Sequence, residues 1–134
     1  MACVRLQSTM WHFWKKAIVL VTTIMRENTS TEWVNKEVDS ESDVRLYVKL
    51  VRFDCAYYPV FRLNKKLLRD YPNLWAYARD LYQTPGFGDT TNFAAIKKHY
   101  HIDCCPSNEF AIVPNGPDET LWMTPHGREK LSGK

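Results

Sequence analysis

Hydrophobic positions from residue 40 onward recur at helical intervals, whereas those before residue 38 do not. In DSESDVRLYVKLVRFDCAYY the apolar residues Val44, Leu46, Tyr47, Val48, Leu50, Val51 and Phe53 run almost all the way round a helical wheel. That pattern predicts a helix from Ser40 to Asp54 buried inside a bundle rather than lying on its surface. Ser40 followed three residues later by Asp43 supplies a capping box, with the serine oxygen accepting from the backbone near Asp43 and the carboxylate reaching back to the cap. No hydrophobic staple accompanies it, because Asp39 stands where an apolar residue would precede the cap.

NKKLLRDYP predicts a short helical turn ended by Pro72, since proline disfavours helical geometry in the residue before it. The same proline suits the first turn of a following helix, where its missing N–H costs nothing. From there Leu74, Trp75, Tyr77, Ala78, Leu81 and Tyr82 recur at three- and four-residue steps and form one apolar face, with Arg79 and Asp80 turned outward. Pro85 and Gly86 stop that helix. TTNFAAIKKHYHI predicts another amphipathic helix, with Thr91 or Asn92 as its cap and Phe93, Ile96 and Tyr100 on one stripe. Beyond it Pro106, Pro114, Gly116, Pro117, Pro125 and Gly127 punctuate an extended tail laid over the domain. Residues 1–37 carry neither Gly nor Pro and no clean period, and the run Ile18 to Ile24 fits a strand or a buried helical turn.

The length of 134 residues is that of about one domain, and 45% hydrophobic with 25% charged residues marks a globular chain. A net charge of +3, with cations scattered among acids, gives little support for a nucleic-acid partner. The longest apolar run, Ala17 to Met25, is far shorter than the roughly 20 residues of a membrane span, and no small-residue cleavage site follows it. Cys3, Cys55, Cys104 and Cys105 form neither paired metal-ligand spacing nor a disulfide framework, so a reduced, cytoplasmic setting is expected.

Three candidate chemistries arise from the residues. Cys105-Pro106-Ser107 has the cysteine–proline order of low-pKa thiols, but that chemistry needs a strand before it and a helix after it, and here a helix precedes and a tail follows. Cys104 beside it makes the pair sensitive to oxidation. His99 and His101 stand two apart on a predicted helix and point to different sides, which predicts no metal site. Tyr57, Tyr58, Tyr100 and His101 combine apolar bodies with polar tips, which suits a pocket for an aromatic, hydroxylated ligand. Buried rings with satisfied hydroxyls are the plainer alternative. No Gly-rich phosphate loop, G-x-S-x-G or catalytic carboxylate pair is present.

VRFDCAYYPVF, YPNLWAYARDLYQTPG, FAAIKKHY, AIVPNGP and PHGR follow one another in an order and at intervals that resemble the C-terminal half of the glutathionyl-hydroquinone reductases, the Xi class of glutathione transferases, kin to the omega class. The resemblance covers Ser40 to Arg128. It implies an all-α fold: a helical glutathione-transferase domain over residues 38–104, an extended Pro-rich tail over 105–134, and an unmatched segment over 1–37. It also implies that Ser40 and Asp43 form the family's box at the start of the central helix. Tyr100 matches the first tyrosine of the family's His-Tyr-Tyr and His101 replaces the second; Tyr57 matches the tyrosine after Arg-Phe-Asp; and Asn108 alone is kept from the family's pattern around Cys104 to Phe110.

In such enzymes a thioredoxin-like domain carries a Cys-Pro-Trp nucleophile and most contacts to glutathione, the co-substrate. The nucleophile takes glutathione from a glutathionylated hydroquinone, and a second glutathione resolves the mixed disulfide. Residues 1–37 match nothing of that domain, so the resemblance implies a truncated relative with no catalytic residue, inactive alone. Its expected partner is the missing thioredoxin-like half or a second copy in a homodimer. The other reading is a non-catalytic helical binding or dimerisation module. The helices Ser40 to Asp54 and Pro72 to Tyr82 would normally bury faces against upstream partners.

Overall fold

A computed structural model of the protein describes residues 41–104 and 108–128. Ser40, the Cys105-Pro106-Ser107 motif and residues 1–37 lie outside the described residues. The remainder is all-α, with no strand among the described residues. Helix α1 spans Glu41–Arg52, continues through a wide π-helical turn at Phe53–Tyr57, and closes with a single α-turn at Tyr58–Val60. A 3-10 turn at Leu68–Asp70 leads into α2, Pro72–Gln83. A second 3-10 turn, Gly88–Thr90, precedes α3, Phe93–Lys98, which runs on into a π-helical turn at His99–Asp103. A last 3-10 turn, Glu119–Met123, lies within the C-terminal segment. No helix among the described residues is long and apolar enough to cross a membrane.

The helix ends obey local chemistry. Pro72 occupies the first turn of α2, and Gly86, at φ +90°, takes the left-handed backbone that turns the chain after it. Asn92, rather than Thr91, caps α3: its side-chain oxygen accepts from the N–H of Ala95 at 2.9 Å. Gly88 sits so close to the carbonyl oxygen of Tyr82 that a Cβ there would stand 2.4 Å from it. Only glycine lets the turn press against the end of α2.

The core forms where α1 packs on α2 through Tyr47, Leu50 and Val51 on one side and Leu74, Tyr77, Ala78 and Leu81 on the other. The hydroxyl of Tyr77 donates to the carboxylate of Asp43 across this interface. Of the apolar positions that run almost all the way round α1, Tyr47, Leu50 and Val51 are buried, whereas Val44 is 50% exposed.

A correction concerns the polar side of α2. Arg79 and Asp80 do not face water. Arg79 donates to the Thr124 hydroxyl and to the Pro125 carbonyl, both at 2.7 Å. Asp80 accepts from Nε of Arg128 at 2.9 Å, with Nε2 of His126 3.7 Å away. Gln83 donates to the carbonyls of Trp122 and Thr124. The C-terminal segment therefore lies along α2 as a clasp, and Trp122 fills the gap beneath it. Its indole packs against Trp75, Tyr82 and Phe93 at centroid separations of 4.8, 5.3 and 5.9 Å.

Candidate functional site

The two π-helical turns bring three of the sequence-expected residues together. Tyr57 ends the first turn and Tyr100 and His101 lie in the second, and all three side chains are buried. The rings of Tyr57 and Tyr100 meet edge to face at 5.6 Å, and Phe61 touches both, at 5.8 Å from Tyr57 and 6.3 Å from Tyr100. Nε2 of His101 lies 3.2 Å from the carbonyl oxygen of Cys55, which can only accept, so that nitrogen carries the proton. Tyr58 is only half-buried and is not part of the cluster's aromatic contacts.

The electrostatics of the cluster follow from its dryness. Burial, and after it the neighbouring Tyr100 hydroxyl, push the Tyr57 hydroxyl far above its ordinary range, while the nearby Arg52 opposes the shift. Tyr57 thus acts as a neutral hydrogen-bonding group rather than a phenolate. Cys55 is equally dry: burial pushes its thiol up to about 12, with the charge of Lys97 opposing, and its Sγ donates to the carbonyl of Val51. A thiol so raised is no nucleophile at neutral pH.

His99 and His101 diverge as expected, the first exposed beside Cys104 and Asp103, the second buried against Cys55. Asn108 ties the end of the second turn to the chain that follows it. Its amide donates to the carbonyls of His101, at 2.7 Å, and Ile112, at 2.8 Å, and its side-chain oxygen accepts from the N–H of Ile112.

Lys97 escaped the sequence reading. It is buried on the apolar side of α3 and donates to the Asn115 carbonyl at 2.8 Å and to the Glu119 carboxylate at 2.7 Å. A signal was available: Lys97 stands four residues after Phe93 and three before Tyr100, on the stripe itself, where a cation must find a partner.

No family model matches the chain. Individual proteins do. The chain is 41% identical over 94 residues to the glutathionyl-hydroquinone reductase YqjG of Escherichia coli, covering 70% of this chain and 28% of that protein. It is 40% identical over 80 residues to glutathione S-transferase omega-like 2 of Schizosaccharomyces pombe, covering 58% of this chain and 26% of that protein. Among solved structures, a glutathione transferase of Gordonia bronchialis superposes with a TM-score of 0.67 at 55% identity, covering 71% of this chain and 30% of the other. The glutathione-bound structure of YqjG superposes with a TM-score of 0.65 at 34% identity, covering 84% of this chain and 36% of the other.

The all-helical architecture and these likenesses define the described region as a glutathione-transferase C-terminal helical domain. Within that class its similarity is to the C-terminal part of the glutathionyl-hydroquinone reductases and their omega-like relatives. It spans less than a third of the length of the curated relatives it matches, 28% in the case of YqjG.

Proposed function

We propose that this helical domain supplies the aromatic substrate wall of a glutathione-dependent thiol exchange on glutathionylated hydroquinones. The observation that carries the reading is the dry Tyr57–Tyr100–His101 cluster, held by two facing π-helical turns. Its chemistry is that of rings with hydroxyl tips, suited to a flat aromatic body bearing oxygen, whereas the charged ends of glutathione call for a donor set this cluster does not present. Tyr100 touches the substrate in this reading, and Tyr57 positions it from behind. Glutathione is then the co-substrate, bound mainly outside the described helices; the thiol that reacts with the quinol conjugate is not Cys55, which burial disqualifies, and in this reading belongs to a thioredoxin-like half. Without such a thiol the exchange has no first step, so the helical domain by itself binds quinol without turning it over.

Fluorescence titration of the purified chain with a substituted hydroquinone tests this. Saturable binding is expected, weakened about tenfold in Tyr100→Phe, the loss that one hydrogen bond of about 1.4 kcal/mol carries. A companion turnover assay on a glutathionylated hydroquinone compares the chain with Cys105→Ser. Turnover that disappears on that substitution refutes the division of labour, since the domain would then contain its own nucleophile. A second reading, a non-catalytic binding or dimerisation module in a reducing compartment, draws on the large apolar side chains left in water: Phe110, 84% exposed, with Ile112 and Met123. Saturable dimerisation without quinol binding favours that reading.

A further inference from the structure

The π-helical turn that ends α3 carries a side-chain trio that the aromatic cluster does not use. Cys104 is exposed and its Sγ lies 3.2 Å from Nε2 and 3.8 Å from Nδ1 of His99. Nδ1 of the same imidazole stands 3.8 Å from the carboxylate of Asp103. The backbone brings this about. In a regular α-helix, side chains five residues apart point about 140° away from each other. Here the chain widens into a π-helical turn over His99–Asp103, closed by the bond from the Cys104 N–H to the His99 carbonyl at 2.9 Å, so the fifth residue returns beneath the first. Such π-turns inside α-helices are frequent at functional sites. A nucleophile within reach of a base, with the base beside a carboxylate, is the arrangement that activates thiols.

We propose that Cys104 is a reactive thiol-modification site, with His99 as its base, that takes small low-molecular-weight disulfides. The inference stands on the geometry of this turn and is independent of the quinol-binding reading. In the step, His99 accepts the proton of the Cys104 thiol and the sulfur attacks one sulfur of the incoming disulfide. The Cys104–sulfur bond forms as the disulfide bond breaks, and the departing thiolate takes the proton back from the imidazolium. Cys104 is oxidised to a mixed disulfide and one equivalent of small thiol is released. Asp103 steadies the imidazolium, the Tyr100 ring packs perpendicular to the imidazole with ring centroids 5.3 Å apart, and the exposed setting admits the reagent from solvent.

The test treats the full chain with oxidised glutathione and follows adduct formation by peptide fragmentation, which separates Cys104 from Cys3, Cys55 and Cys105. The expected result is an adduct on Cys104 that dithiothreitol reverses and that forms about tenfold more slowly in His99→Gln, below the range of a positioned general base in an enzyme site. Asp103→Asn slows it less. His99→Ala serves as a second variant, and unchanged far-UV circular dichroism confirms that each variant is folded. An unchanged rate at Cys104 in both His99 variants, or an adduct on Cys105 with Cys104 unmodified, overturns the proposal.

Discussion

Asp54 shows how a single residue sets a pH response. Its carboxylate accepts from the N–H of Leu68 at 2.8 Å and thereby fixes the loop between α1 and α2. Burial raises its pKa from 3.8 to about 6, against the opposing pull of the Leu68 N–H and of Arg69, with Asp70 adding to the rise. Between these two values the folded chain holds a proton that the unfolded chain has released. Stability from this group is therefore fully present below the unfolded value and is lost as pH rises through about 6. Asp54→Asn keeps an oxygen for Leu68 and removes the titration. Urea unfolding across this window should show the variant flatter than the natural protein and more stable than it at neutral pH. Parallel curves for the two proteins would mean that Asp54 is better solvated than its surroundings suggest.

Elements were legible where their ends are written locally. Pro72 and the Pro85-Gly86 pair act through their own backbone and Asn92 through its own side chain, so α2 starts and stops, and α3 starts, where those residues put them. The π-helical turns were not legible, because one extra residue in a turn follows from packing rather than from any residue type. The site was therefore half visible: Tyr57, Tyr100 and His101 have the right chemistry in sequence, but their convergence depends on two widened turns. Arg79 and Asp80 misled for a related reason, since their partners lie 45 and 48 residues further along the chain.

The link between α3 and the final 3-10 turn makes a directional prediction. Lys97 is buried, while Glu119 keeps 43% of its side chain exposed. Removing the carboxylate leaves a buried ammonium with the Asn115 carbonyl, whereas removing the ammonium lets the carboxylate turn to water. Glu119→Ala should cost about 2–3 kcal/mol and Lys97→Met about 1 kcal/mol or less in urea unfolding. The reverse order would show that Lys97 reaches solvent by another route.

At the scale of the whole molecule, the question is whether the C-terminal segment decorates the bundle or completes it. Its polar contacts, from Arg79 and Gln83 to the backbone and from Asp80 to Arg128, hold it along α2 without saying how much stability it provides. Trp122 answers that, because its indole is 3% exposed and touches rings from both α2 and α3. Truncating a buried aromatic in a closed site costs about 3–5 kcal/mol. Whole domains are stable by only about 5–15 kcal/mol, so that loss is a large share of what holds the fold. Trp122→Ala should lower the urea midpoint sharply and weaken the near-UV circular dichroism of Trp75 and Tyr82, which lose their fixed neighbour. Trp122→Phe, which refills most of the space, should recover more than half of the loss. If Trp122→Ala instead keeps both the midpoint and the aromatic signal, the segment merely drapes over a bundle that is complete without it, and the Asp80–Arg128 pair is an ornament of its surface rather than the latch of its core.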